Sequence, residues 1–140
     1  MNNFMSADPD VRISDTIDVG KTAADGWAAS PAAVASMVST INCSPNVKVA
    51  NSGDVLDTLH STITGKVAQI YFHIICAAPR PATTIVTGLP RHNNLYIAVP
   101  CFDYMGQVIG MAWLYEDGHI HTPNGFNNEG YFQAIYITTD

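Results

Sequence analysis

Between residues 66 and 76 every second position is apolar: Ala68, Ile70, Phe72, Ile74 and Cys76 form one face, while Val67, Gln69, Tyr71 and His73 form a mixed one. That period of two predicts a strand with its first face in a core. Apolar and β-branched runs at 83–87, 94–99, 107–115 and 131–138, divided by turn residues, predict further strands. The last run alternates Phe132, Ala134 and Tyr136 with Ile135 and Ile137, which predicts a strand covered on both sides. Glu116-Asp117-Gly118 suits a hairpin with glycine in the left-handed position, joining 107–115 to 119–122. Gly88-Leu89-Pro90 predicts a strand end anchored by Leu89. With no helical periodicity between the runs, residues 46–140 are expected to form an all-β head, a β-sandwich or jelly roll.

The amino-terminal part is patterned differently. Asn42-Cys43-Ser44-Pro45 makes a break, and before it Ser30 suits an N-cap, Pro31 the first helical position, and Ala32, Ala33 and Ala35 a helix. Trp27, Val34 and Ile41 recur every seven residues, with Met37 between, so one apolar seam runs along a short helical neck at 27–45. A helix of about three turns is marginal alone in water and needs a partner, either its own domain or other copies of the chain. Residues 1–26 carry Asp8, Asp10, Asp15, Asp18 and Asp25 with few large apolar groups, as an extended or partner-ordered leader would.

Composition sharpens this picture. Apolar residues make up 47% of the 140 and charged residues 13%, against about 25% charged in an average soluble domain, which points to surface covered by self-association. The formal net charge of −6 and the lack of any basic cluster exclude nucleic-acid binding. Cys43, Cys76 and Cys101 are odd in number and have no CxxC spacing, as apolar fillers rather than a disulfide or zinc framework would be. No basic and apolar leader begins the chain, and the apolar stretch 70–78 is too short to span a bilayer, so membrane insertion is not expected.

Chemistry-bearing residues are sparse. Glu116 and Asp117 belong to a turn and Glu129 to a polar loop, and no nucleophile–base order or phosphate loop is present, so no enzyme and no cofactor is expected. His119-x-His121 would share one face of a strand and is the weak candidate for a metal, though Ile120 between them fits an ordinary surface strand. His60, His73 and His92 are scattered and suit structural roles. A saccharide needs flat apolar faces and short polar groups on loops. Two loops offer them: Arg91, His92, Asn93 and Asn94 with Tyr96, and Asn124, Phe126, Asn127, Asn128 and Glu129 with Tyr131. Phe126 among asparagines is either a sugar platform or a ring folded back onto the sheet, and Trp113 suits core or interface.

Gly65-Lys66-Val67-Ala68-Gln69-Ile70, Thr87-Gly88-Leu89-Pro90 and the ending Tyr136-Ile137-Thr138-Thr139-Asp140 together resemble the carboxy-terminal heads of tail-fibre and receptor-binding proteins of phages of Gram-positive bacteria. Thr22-Ala23-Ala24-Asp25-Gly26-Trp27-Ala28-Ala29-Ser30 is similar to a segment that precedes such heads. The resemblance implies a homotrimer with a helical neck and a β-sandwich tip, carried on the virion. It also implies adhesion to host cell-wall saccharide without catalysis, with residues 1–26 docking to other virion proteins. The alternative is a purely structural fibre or head-decoration protein. His-x-His pairs on the threefold axis of some phage shafts hold iron, which is the resemblance behind the metal candidate.

Overall fold

The computed structural model describes residues 12–14, 27–29 and 39–140. The chain divides into two units, 1–39 and 40–140. In the first, strand β1 (Arg12–Ser14) pairs in parallel with β2 (Trp27–Ala29), in the register Arg12↔Trp27 to Ser14↔Ala29. Trp27 therefore lies on a strand and not on a helical seam. Val34 and Met37, and the helix expected around them, lie outside the described residues.

The second unit is all-β, as the alternating runs require. After β3 (Thr40–Asn42) and a single 3₁₀ turn at Ser44–Asn46 come β4 (Lys48–Val49), β5 (Val55–Thr64), β6 (Val67–Ile75) and β7 (Thr84–Thr87). β8 (Tyr96–Phe102), β9 (Val108–Tyr115), β10 (Ile120–His121) and β11 (Glu129–Ile137) complete it. All nine strands join one antiparallel sheet in the order β3-β5-β6-β11-β8-β9-β10-β7-β4. β4 and β5 stand far apart in that order yet touch, so the sheet curls until its two ends meet around a single core. Ile41, the last residue of the expected seam, pairs with Ile63 of β5. Its backbone groups are committed to the ladder, so this end of the neck is a strand too.

The face of β6 read as core is buried throughout, at Ala68, Ile70, Phe72, Ile74 and, just past the strand, Cys76. β11 pairs with β6 from Glu129↔Ile75 to Ile137↔Val67, which sets Phe132 opposite Phe72 with their rings stacked at 4.9 Å. Truncating either would cost roughly 3–5 kcal/mol. The other face of β11 is not covered: Ile135 and Ile137 are 69% and 67% exposed. Expecting both faces of this strand to be buried was therefore wrong for the single chain, because no described element packs against its outer side.

The hairpin at Glu116-Asp117-Gly118 forms as expected, with Gly118 at φ 85° and its N–H donating to the Tyr115 carbonyl. A Cβ there would stand 2.1 Å from the Leu89 carbonyl oxygen, so both the turn and the close approach require glycine. Leu89 is itself buried, anchoring the end of β7 as its motif predicted. The three cysteines are free and buried. Enclosure raises the thiols of Cys76 and Cys101, to about 11 and about 12, which suits fillers rather than nucleophiles.

Candidate functional site

On β9 the side chains alternate strictly: Ala112 and Leu114 point into the core, and Met111, Trp113 and Tyr115 point out. Pairing carries the outer row onto both neighbours, since Trp113 lies opposite Ala98 of β8 and His121 of β10, and Tyr115 lies opposite Tyr96. The edge of Tyr96 meets Trp113 at 5.0 Å and 68°, and Tyr115 stacks flat on His119 at 4.6 Å. Aromatic side chains thus fix one another in an open row. A cavity of about 520 Å³ beside it is bounded by Met111, Trp113, Tyr115, His121, Pro123 and Asn124. It offers one indole face, a phenol, an imidazole and an amide, the mixture that binds a sugar ring by stacking and its hydroxyls by hydrogen bonds. His121 Nδ1 engages the Thr122 carbonyl at 3.1 Å. As donor there, it leaves Nε2 able to accept a hydroxyl proton.

The loop residues expected to bind ligand divide into two groups. Tyr96 and Asn124 belong to this row. Phe126 does not: it is 6% exposed, packs against Phe132 at 5.8 Å, and its ring would be 3.1 Å from a Cβ on Gly130. Gly130 is what makes room for it, so Phe126 is a core residue and not a platform. His92, 3% exposed, is likewise core, with Nε2 donating to the Leu114 carbonyl at 3.1 Å and its ring edge-on to Tyr136. Asn93 and Asn94 are exposed on the β7–β8 connection. Asn127 and Asn128 spend their backbone carbonyls holding the 76–80 loop, accepting from the N–H groups of Arg80 and Cys76 at 2.8 and 2.7 Å.

Glu129 is committed elsewhere. Its Oε1 lies 2.9 Å from His73 Nε2, while Asp57 Oδ2 lies 3.2 Å from Nδ1 of the same buried imidazole. Asp57 reaches it because a bulge between Leu56 and Thr58 inserts one extra residue into β5. The His73 ring is stacked on Tyr131 at 4.0 Å and 6°.

His119 and His121 both flank Tyr115. Asp117 engages His119 Nδ1. Partial burial works against its carboxylate, but the His119 imidazole, the His119 N–H and the charge between them hold it below the usual aspartate value. Among the described residues no group of three or more His, Cys, Asp or Glu side chains is placed to hold a metal.

Trp113, expected in core or interface, is not core: with Met111 it shares the phase opposite to Ala112 and Leu114, the signal by which both could have been found. Tyr71 and Tyr104 carried a weaker signal, Tyr71 on the mixed face of β6 and Tyr104 in the turn Asp103-Tyr104-Met105-Gly106. No described helix is long and apolar enough to cross a membrane. No protein-family model, curated protein or solved structure matches the chain.

Proposed function

We propose that the chain is the non-catalytic receptor-binding head of a phage fibre or tip, and that it holds a host cell-surface saccharide against the Trp113 row. The observation that carries this reading is the open aromatic row of Tyr96, Trp113 and Tyr115, held on strands β8 and β9 beside His121 of β10 and Asn124 of the turn that follows it. The resemblance of 65–70, 87–90 and 136–140 to phage receptor-binding heads supplies the biological setting. Homotrimeric assembly and docking of residues 1–26 to other virion proteins belong to the same proposal.

Glycan-array binding together with adsorption competition on host cells tests it. Trp113→Ala should weaken saccharide binding by on the order of 1–2 kcal/mol per site, amplified by avidity in a trimer. Its melting temperature should stay close to that of the parent, because the indole stands outside the core. A purely structural fibre protein is the second reading, supported by the exposed Ile135 and Ile137 that assembly would cover. An assembled parent that binds no glycan and competes with no adsorption selects that reading.

A further inference from the structure

A second cavity, of about 470 Å³, opens on the same outer face among β6, β11 and the β8–β9 turn. Tyr71, Phe102, Tyr104 and Tyr131 line it, together with Gln133 and Asp103. The sheet register assembles them: Tyr131 lies opposite Phe102 on one side and His73 on the other, and Gln133 lies opposite Tyr71. Tyr131 is held still, because its ring lies flat on His73, and that imidazole is pinned at both nitrogens by Asp57 and Glu129. The turn is fixed as well. Asp103 Oδ1 accepts the N–H groups of Met105 and Gln107, each at 2.9 Å, and presents Tyr104 with 83% of its surface exposed. The second carboxylate oxygen of Asp103 accepts nothing from the described residues.

We propose that this cavity binds a quaternary ammonium group, as in choline. Four aromatic side chains border one space, and a ring face attracts a cation within about 6 Å of its centroid. Asp103 adds an anionic charge at the rim, and among the described residues no Lys, Arg or His lines the cavity to oppose a cation. Behind Tyr131 the group of His73, Asp57 and Glu129 carries net negative charge whichever way the imidazole is protonated, so it does not repel one either. A primary ammonium would have to exchange its strong hydration for hydrogen bonds from three donors to the free Asp103 carboxylate oxygen, the Gln133 amide and the tyrosine hydroxyls. A quaternary group has no donors to satisfy. This site is separate from the Trp113 row and does not depend on saccharide binding there.

Calorimetric titration of the full chain with choline chloride at constant ionic strength tests the proposal. A dissociation constant in the low millimolar range, about −4 kcal/mol at 1 mM, is the expected result. The uncharged isostere 3,3-dimethylbutan-1-ol should bind at least about tenfold more weakly, because only its charge differs. Tyr131→Leu and Tyr71→Leu should each weaken choline several-fold, whereas Tyr131→Phe, which keeps the ring, should retain it. Asp103→Asn should weaken choline and leave the isostere unaffected. Phosphocholine in parallel distinguishes a headgroup linked to phosphate from free choline: equal or tighter binding indicates the linked form, weaker binding the free cation. Trp113→Ala should bind choline like the parent, which separates this site from the saccharide reading. Isostere binding equal to choline, absence of saturable heat up to about 50 mM, far beyond cation–π recognition, or full binding by Tyr131→Leu with a parental melt would each overturn the proposal.

Discussion

Phe126 shows how one residue's surroundings decide between opposite roles. Its sequence neighbours are polar, which marks an exposed ring, yet Gly130 four positions on leaves a space that Phe126 shares with Cys101 and Phe132. The ring enters it beside Phe132 and becomes part of the core. Phe126→Ala would leave a cavity among Cys101, Phe132 and Gly130 and is expected to cost roughly 3–5 kcal/mol, visible as a markedly lower denaturation midpoint, while saccharide binding per folded molecule is unchanged. Binding lost at an unaltered midpoint would return Phe126 to the surface. His92 was hidden in the same way: a histidine beside Asn93 and Asn94 gives no sign that its ring lies under Tyr136. By contrast, Leu89 and Gly118 were legible, because a left-handed turn and a buried anchor are dictated by the residue type at that position.

Among the elements, stretches with clean alternation were legible and the bulge in β5 was not. β6 and the stretch 111–115 of β9 announce their faces through a period of two. β5, the longest described strand, carries an extra residue at Asp57 that shifts its phase near its start, and Asp57, His60 and Ser61 further blur the pattern. The neck illustrates the converse. Thr40-Ile41-Asn42 has only local helical features, and pairing with β5 overrides them. Just before β5, Asp54 clamps the connection after β6. Its enclosed carboxylate accepts the Ala77 N–H at 2.9 Å and two Arg80 donors at 3.0 and 3.2 Å. Burial alone would raise its pKa, but the Arg80 hydrogen bond, the Ala77 N–H, the charge of Arg80 and Asn51 outweigh it and hold the group below its ordinary 3.8. Because the folded value is depressed, Asp54 adds stability above the unfolded value, and that stability disappears as pH falls through the folded one. Below about pH 4 the parent should therefore lose stability with a slope that Asp54→Asn lacks in part, the variant being weaker at neutral pH. Identical acid slopes for the two proteins in denaturant titrations would show that the clamp is not linked to folding.

For the whole molecule, the low charge content points to covered surface, and the structure carries an exposed apolar stripe that assembly would cover. Ile135 and Ile137 at the end of β11 stand out beside Val67, their neighbour on β6. Trp27 and Ile41, the ends of the expected neck seam, lie on strands β2 and β3, and Val34 and Met37 lie outside the described residues, so this stripe is the described surface on which trimer assembly is tested. Burying an isoleucine fully is worth at most about 1.5–3 kcal/mol and each copy brings two, so Val67 and further exposed apolar surface must join the contact to offset the cost of association. Light scattering should then give three times the 15.1 kDa of one chain. Ile135→Asp combined with Ile137→Asp should reduce that mass to a single chain and keep a cooperative melt, because neither side chain belongs to the core of its own head. A parent that scatters as a monomer would remove the trimer and the avidity it confers. A double variant that stays trimeric would move the interface away from β11 to residues the stripe does not include.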